Sequence, residues 1–437
     1  LEDTLVVIQA IAKGPSQKAG ITNGDRIVSV DGRPIAGVKL ERDSIMKLLR
    51  GPKGTKVSLG IVRPSVNGVL TFVVTRDKIP MNTLDAAYMI APGVGYIRLD
   101  RFGATSGKEV REAIARLQKQ GMKDLLFDLE SNGGGYLGAA VDVASQFLNP
   151  KDLVVYTEGR ATPKQVFEAQ SGGLFRKGRL IVLVDEFSAS AAEIVTGAVQ
   201  DHDRALVVGR RTFGKGLVQR PIDLPDGSMI RLTTSHYFTP SGRCIQKPYV
   251  PGQKEDYSQD LEKRFKHGEL IHADSIHLDS SKVYHTLVEH RKVYGGGGIM
   301  PDVFVPLDTA AYTKYYLAMR RYNLFNDAVL RYVDKNRATL LDRYKRFDDF
   351  EKNFEVPAEL IARVEAEAAK KKVTPKDEAE RKATMDDLKF VLKCLIAYDV
   401  WDRNEYYTLV NRRNDVVKEA LRQLTVNRSI PAGTRSR

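Results

Sequence analysis

A serine and a lysine lie in two separate turns of this sequence, and together they could carry out nucleophilic catalysis. Ser190 follows an apolar strand-like run, residues 180–184, and precedes a helix-like run with apolar residues on one face, residues 191–200. Amide groups at the start of a helix lack intrahelical partners, so the Ala191 amide could stabilise an oxyanion beside the serine. The serine could instead only cap the helix, because Ser190 and Glu193 form an S-x-x-E capping box.

Lys215 lies between two glycines, ahead of a hairpin predicted by a Pro-Asp-Gly turn. Period-two alternation would place Lys215, Leu217 and Gln219 on one face of a strand, so that the Gln219 amide could orient the lysine amine. Only a neutral amine accepts a proton. At the ordinary lysine pKa near 10.4, about one lysine side chain in 2,500 is neutral at pH 7. If Lys215 is the general base, we expect burial to lower its pKa towards neutrality. An ordinary surface lysine is the alternative.

A run of three glycines, residues 133–135, could bring a second amide donor to the same site. Residues without Cβ allow the backbone to approach a substrate carbonyl closely. The amide of Gly134 or of Gly135 could then complete an oxyanion hole with Ala191, whereas a plain loop is the alternative.

The surrounding sequence predicts three regions that would position these residues. Short strands with Asp-Gly and Asn-Gly turns predict a β-rich module, and the following alternation of helices and apolar strands predicts an α/β domain. A polar stretch with five of the seven histidines predicts an insertion, and the rest of the chain is helical and charged. The predicted domains are residues 1–78, 79–310 with the insertion at 243–292, and 311–437, with helices near 309–335, 357–372, 376–401 and 404–424.

Composition excludes several classes of protein. The 437 residues carry a net charge of +13 with a pI near 9.4, but the basic residues are mixed with 55 acidic ones, so nucleic-acid binding is not expected. No apolar run approaches the roughly 18 to 20 residues that span a membrane. Cys244 and Cys394 are far apart and in no metal or redox spacing.

Taken together, the motifs resemble those of the carboxy-terminal processing, or tail-specific, serine peptidases. The resemblance covers about residues 1–310. In the glycine motif, Glu130 stands where arginine is usual and Gly133 where proline is common. The matching segments are 188–194, 197–201, 213–219, 128–135 and 295–302.

This resemblance implies a multidomain α/β protein with a ClpP/crotonase-like protease core and a helical C-terminal region. It implies an acyl-enzyme mechanism with Ser190 as the nucleophile, Lys215 as the general base and Gln219 completing a Ser-Lys-Gln arrangement. The mechanism requires no metal and no cofactor. The implied oxyanion donors are the amides of Ala191 and of Gly134 or Gly135.

Residues 14–32 resemble PDZ domains of the bacterial protease type. Such domains add an extended peptide C-terminus to a sheet edge and hold its carboxylate with backbone amides. Val7, Ile45 and Leu49 would line the peptide groove, although core packing is the alternative for each. We expect the carboxylate-binding loop upstream of Leu5, outside this sequence, so that the module is N-terminally incomplete.

The implied partners are proteins or peptides with apolar C-termini, and the implied location is periplasmic or otherwise extracytoplasmic. A homodimer, a membrane attachment through a segment outside this sequence, and a regulatory or dimerising role for the helical region stay open. An inactive peptide-binding scaffold is the main alternative function.

Two further alternatives use the histidines. A Ser-His-Asp hydrolase would need His202 or His236, but Ser190 lacks the G-x-S-x-G elbow. A metallohydrolase would need His267, His272 and His277, whose spacings of five put no neighbouring pair on one helix or strand face.

Overall fold

The computed structural model describes residues 3–8, 10–11, 14–63, 66–79, 82–249, 257, 259–277, 279–309, 312–427 and 430–433. Its contacts divide the chain into two compact units, each made of two stretches of sequence. One unit comprises Leu1–Met81 with Ala310–Leu409, and the other comprises Asn82–Thr309 with Val410–Arg437.

The N-terminal stretch forms an antiparallel sheet of short strands, as the turn pattern predicts. The turn after the second strand has positive φ at Asp31 and Gly32, which suits a two-residue hairpin. Alternating apolar residues of the strands bury a small core that includes Val30, Leu59 and Ile61. The sheet order is β1-β2-β4-β5 with β3 beside β2. The elements are β1 (Leu5–Val6), α1 (Pro15–Lys18), β2 (Arg26–Val30), β3 (Arg33–Pro34), α2 (Arg42–Leu49), β4 (Lys56–Val62) and β5 (Val69–Thr75).

The second unit is built around a six-stranded sheet that is parallel except for one edge hairpin. Every residue of its central strand β11 is buried, as expected when helices cover both faces of a parallel sheet. The order is β17-β12-β11-β8-β7-β6, and β6 pairs antiparallel with β7. The strands are β6 (Leu84–Ala91), β7 (Val94–Leu99), β8 (Asp124–Asp128), β11 (Leu180–Val184), β12 (Leu206–Gly209) and β17 (Val303–Phe304), and the helices are α3 (Ser106–Lys119), α4 (Leu137–Ala144) and α5 (Ala191–Asp201).

A second, antiparallel sheet of the same unit carries the strand that follows Lys215. Its order is β10-β9-β14-β13, and the outer part of the β13–β14 hairpin is exposed. Its strands are β9 (Leu153–Gly159), β10 (Thr162–Glu168), β13 (Leu217–Asp223) and β14 (Met229–Phe238). The predicted insertion contains α6 (Asp260–Lys266), β15 (Val283–His285) and β16 (Lys292–Tyr294).

The C-terminal region is helical as expected, but two of the predicted helices are interrupted. Asn323 adopts a left-handed conformation with φ of 57° and ends the first of them, and Asn414 caps a new helix by accepting the amides of Val416 and Val417. The helices are α7 (Lys314–Arg321), α8 (Leu324–Arg343), α9 (Phe347–Asn353), α10 (Ala358–Lys370), α11 (Glu378–Val400), α12 (Arg403–Asn411) and α13 (Asp415–Val426). No helix in the described ranges is long and apolar enough to cross a bilayer.

The last helix, α13, packs on strands β11 and β12 of the six-stranded sheet. The Arg179 guanidinium donates to the Leu424 carbonyl at 2.6 Å, and the Gly178 amide donates to the Ala432 carbonyl at 2.7 Å. The side chains of Val417 and Leu424 are buried. The end of the chain is therefore part of the unit that contains Ser190.

We predict that Leu424→Ala destabilises this unit by about 2 to 5 kcal/mol, the usual cost of truncating a buried leucine. Chemical denaturation monitored by circular dichroism measures the loss. Val426→Ala is the control, because Val426 on the same helix is 58% exposed. Equal stability of the two variants would contradict the packing of α13.

Candidate active site

Ser190 lies at a sharp turn between strand β11 and helix α5, in the strand–turn–helix setting that the sequence predicts. Its φ of 57° and ψ of −114° are unusual for a residue with a side chain. Such a conformation costs about 1 to 3 kcal/mol and persists only where the surroundings enforce it. All eleven residues of α5 are buried, whereas Ser190 itself is partly exposed at the start of the helix. The turn therefore presents this hydroxyl at the helix N-terminus.

A buried carboxylate joins the Ser190 turn to the Lys215 loop, which we define as residues 211–216. Glu193 Oε2 accepts the amide of Ser190 at 2.8 Å and the amide of Lys215 at 2.9 Å. Glu193 Oε1 accepts the Gly214 amide at 2.7 Å and the Thr212 hydroxyl at 2.5 Å. Because one oxygen atom binds both amides, the backbones of Ser190 and Lys215 lie side by side.

The environment of Glu193 sets its protonation. Burial raises the pKa of this carboxyl above its ordinary value, and the hydrogen bonds from Thr212, Lys215, Gly214 and Ser190 oppose the rise. All four partners are donors, which suits an ionised carboxylate, an acceptor only. The S-x-x-E capping box in the sequence predicts the hydrogen bond between Glu193 and Ser190. It does not predict the bonds of Glu193 to Thr212, Gly214 and Lys215.

Tyr237 makes a second link between the same two segments, and sequence reasoning missed it. Its hydroxyl lies 2.5 Å from the Lys215 carbonyl oxygen and 3.0 Å from the Ser190 carbonyl oxygen, and it donates towards them. Burial, together with the charge of Glu193, raises the pKa of Tyr237 well above its ordinary value. Alternation along β14 could have placed Tyr237 on the inner face, but no local signal identifies its partners.

The side chains of the predicted dyad are not joined directly. Among the contacts of the described residues, no hydrogen bond connects Ser190 Oγ to Lys215 Nζ. Lys215 is partly buried. Its role as the base stays a prediction, supported by the shared backbone partners.

Gln219 is exposed, and its amide lies 3.5 Å from Thr233 Oγ1 on the neighbouring strand. The β13–β14 register shifts between Val218 and Gln219, so the strict alternation that would align Gln219 with Lys215 is interrupted. Its proposed orientation of the lysine amine therefore stays a prediction without a supporting contact.

The glycine turn lies directly against the Ser190 turn. A Cβ at Gly134 would lie 2.7 Å from Ser190 Cβ and 2.8 Å from the Ala191 nitrogen, so only glycine fits there. The Gly134 amide already donates to Asn132 Oδ1 at 2.9 Å. The Gly135 amide has no hydrogen-bond partner among the described residues, which favours Gly135 over Gly134 as the second oxyanion donor.

Two buried polar residues, Asn132 and Asp185, hold the glycine turn and the Ser190 turn together. The Asn132 side chain donates through Nδ2 to the Leu99 carbonyl at 2.7 Å, and the backbone carbonyl of Asn132 accepts the Ala189 amide at 2.9 Å. Asp185 accepts the Ser131 amide at 2.8 Å and the Ser131 hydroxyl at 2.9 Å. The position of the Ala191 amide relative to the glycine turn is therefore fixed from both sides.

Glu130, which precedes the glycine turn, lies among other acidic side chains. Arg98 pairs with Asp128 at 2.5 Å and donates to the Glu130 carbonyl at 2.8 Å. Asn414, the cap of α13, donates to Glu130 Oε2 at 2.7 Å. Burial, with the charges of Asp128 and Asp185, raises the pKa of Glu130 from its ordinary 4.5 to about 8.

The histidine alternatives find no support in the geometry. His202 follows the last residue of the eleven-residue α5, about 18 Å from Ser190 at the rise of an α-helix. His236 is exposed, and as the neighbour of Tyr237 on a strand it points to the opposite face of the sheet from Tyr237, which faces the site. No cluster of three metal-binding side chains occurs within the part of the chain that the structure describes.

The predicted PDZ groove residues are all partly buried. Val7, Ile45 and Leu49 pack against the small core of the N-terminal sheet. This packing agrees with the alternative that these residues belong to the core. Their role in binding a peptide stays a prediction.

Comparisons with known proteins agree with the motifs. Residues 93–258 match peptidase family S41, residues 6–63 match the PDZ domain, and residues 315–402 match DUF8443, a family of unknown function. The S41 match covers less than half of the chain. The S41 match includes the glycine turn, Ser190 and the Lys215 loop.

Several proteins similar to this chain carry the name carboxy-terminal processing protease or peptidase. The chain is 39% identical over 249 residues to the "carboxyl-terminal-processing protease" of Picosynechococcus sp., covering 56% of this chain and 59% of the relative. It is 34% identical over 275 residues to the chloroplastic "C-terminal processing peptidase" of Tetradesmus obliquus, covering 59% of each. It is 32% identical over 273 residues to the "carboxy-terminal processing protease CtpA" of Bacillus subtilis, covering 61% of this chain and 58% of the relative.

The chain thus spans less than two thirds of the length of these relatives. Among solved structures, a "photosystem II D1 C-terminal processing protease" aligns with a TM-score of 0.36 and 28% identity, over 70% of this chain and 69% of that chain.

We predict that Glu130 makes the stability of this unit depend on pH. A folded-state pKa of about 8 against an ordinary 4.5 means that the folded protein binds more protons between these values. Stability should then fall as pH rises through this window. Glu130→Gln, neutral throughout, should remove part of that fall. Chemical denaturation from pH 5 to 9 measures it.

Exposed Glu168→Gln is the control, and its pH dependence should match that of the parent protein. The groups that face Glu130, namely Asp128, Asp185, Arg98 and Asn414, are unchanged in both variants. Parallel curves for the parent protein and Glu130→Gln would contradict the raised pKa.

Proposed function

We propose that this chain is a serine endopeptidase that cleaves protein substrates recognised near their C-termini. The observation that carries the proposal is the shared Glu193 oxygen, which brings the Ser190 and Lys215 backbones together beside the glycine turn. The likeness to carboxy-terminal processing proteases supports the same reaction class.

The proposed reaction is acyl transfer through two steps. The Lys215 amine takes the proton of the Ser190 hydroxyl while the serine oxygen attacks a peptide carbonyl. The protonated amine then gives its proton to the leaving nitrogen, and the peptide bond breaks to leave an acyl-enzyme. Water then gives a proton to the same amine and attacks the ester carbonyl, and the protonated amine returns that proton to the serine oxygen as the carboxylic acid is released.

The developing oxyanion would lie between the two turns. The Ala191 amide at the start of α5 and the Gly135 amide, or that of Gly134, would donate to it. The helix N-terminus adds a partial positive charge at the same place. Gln219 would orient the amine in the complex with a bound substrate.

Substrate capture would use the PDZ domain. We infer that it takes an extended, apolar C-terminus by strand addition, with Val7, Ile45 and Leu49 as groove candidates. We also propose that the protein is extracytoplasmic. Membrane attachment through a segment outside this sequence and a homodimer are further parts of this proposal.

Ser190→Ala should abolish cleavage of an unfolded protein such as casein, and Lys215→Ala should reduce it at least about 1,000-fold, as expected when a nucleophile or its base is lost. Ser171→Ala and Lys177→Ala are matched controls at exposed positions and should retain activity. Circular dichroism checks that each variant is folded. Turnover by folded Ser190→Ala at the parental rate would overturn the assignment, and an inactive parent protein would favour the peptide-binding scaffold.

Selection by the C-terminus can be tested with paired substrates. Two forms of one unfolded protein should differ only in the last three residues, Leu-Ala-Ala in one and Asp-Asp-Asp in the other. We expect kcat/KM to be at least about tenfold higher for the apolar tail, since this corresponds to only about 1.4 kcal/mol of binding. Equal values of kcat/KM would contradict C-terminal recognition.

A further inference from the structure

The polar stretch that the sequence marks as an insertion, residues 243–292, supplies several of the groups that hold the Lys215 loop. Helix α6 lies within it and carries Arg264, whose side chain is buried with 4% exposed. A buried guanidinium has several donors in fixed directions and is costly to leave unpaired. Its partners therefore indicate what the stretch stabilises.

The Arg264 guanidinium donates to two successive carbonyls of the Lys215 loop. Nη2 lies 2.7 Å from the Arg211 carbonyl oxygen and Nη1 lies 3.1 Å from the Thr212 carbonyl oxygen. The third nitrogen, Nε, donates to Glu269 Oε1 at 2.7 Å. These carbonyls come directly before Phe213, so Arg264 fixes the entrance to the turn that carries Lys215.

Glu269 balances the charge of this contact. Its carboxylate binds Arg211 at 2.6 Å as well as Arg264, and Arg211 in turn donates to the Gly297 carbonyl at 2.8 Å. The two guanidinium groups thus share one carboxylate. Arg264 also binds backbone carbonyls of the Lys215 loop, and Arg211 binds the backbone carbonyl of Gly297.

The same stretch also contacts the far side of the Lys215 loop. The Lys247 amide donates to the Gly214 carbonyl at 2.9 Å, and Gln246 Oε1 accepts the Gly216 amide at 2.9 Å. The Lys247 ammonium lies 4.0 Å from the centre of the Phe213 ring and 3.1 Å from Asp260 Oδ2. The loop is therefore held by Glu193 on one side and by residues of the insertion on the other.

We propose that Arg264 is a positioning residue for Lys215, which keeps the Lys215 amide on Glu193 by holding the carbonyls of Arg211 and Thr212. The proposal rests on the proposed function, because Lys215 is taken as the base. Arg264 would not touch the substrate. It would act on the rate of acylation through the position of the loop.

The test compares Arg264→Met and Arg264→Lys with the control Lys266→Met, an exposed position on the same helix. Displacing a reacting group by about 1 Å can cost about 100-fold in rate, so we expect kcat of Arg264→Met to fall at least about tenfold, with KM changed less than about twofold. Arg264→Lys, which retains a donor, should be intermediate, and Lys266→Met should match the parent. A kcat of Arg264→Met within about twofold of the parent would overturn the proposal.

A second measurement separates this proposal from the proposed function. Hydrogen exchange of the backbone amides is compared between Ser190→Ala and Ser190→Ala with Arg264→Met, so that no activity is needed. We expect faster exchange in residues 211–216 and unchanged exchange in residues 131–135. Unchanged exchange in the Lys215 loop, or a uniform increase over the whole unit, would overturn the role of Arg264 whether or not the parent protein cleaves substrates.

Discussion

The arrangement of this site depends on one buried carboxylate. Glu193 lies wholly inside the protein, where an ionised group is costly unless hydrogen bonds replace its lost water. Its four donors come from the Ser190 turn and from residues 212–215, two segments that are separated by strand β12 in the sequence. Moving either segment away would leave the carboxylate unsatisfied. The proximity of Ser190 and Lys215 is thus a condition for burying Glu193 at low cost.

The strained turn at Ser190 follows from the same constraint. A positive φ at a serine is unfavourable in isolation, so neighbouring contacts must enforce it. Glu193 holds the Ser190 amide, Tyr237 holds its carbonyl, and Gly134 leaves no space on the third side. These contacts fix the backbone of Ser190 on three sides and so fix the position of its hydroxyl. Such preorganisation is what lowers the cost of reaching a charged transition state.

Local signals in the sequence predicted the elements well, but they did not predict the contacts between distant segments. The amphipathic pattern placed a helix at 106–120 and the structure has α3 at Ser106–Lys119, since periodicity and capping are properties of neighbouring residues. The two glycine-containing turns were recognised by their motifs. The contacts of Tyr237 and Arg264 with the Ser190 turn and the Lys215 loop were missed because they span 22 or more residues. The expected alignment of Gln219 with Lys215 assumed a regular strand, and the register shift in β13 interrupts it.

The surroundings of Glu130 show how the site accommodates a cluster of acidic side chains. Three acidic side chains, Asp128, Glu130 and Asp185, lie beside the glycine turn, and their repulsion must be offset. Arg98 from strand β7 pairs with Asp128 and also holds the Glu130 carbonyl, so a guanidinium is present at the turn. Burial and the charges of Asp128 and Asp185 raise the pKa of Glu130, which favours its neutral form, whereas the hydrogen bond from the Asn414 amide opposes this rise. Asn414 caps the start of the last helix, α13. This helix therefore helps to stabilise the loop that would bind the oxyanion.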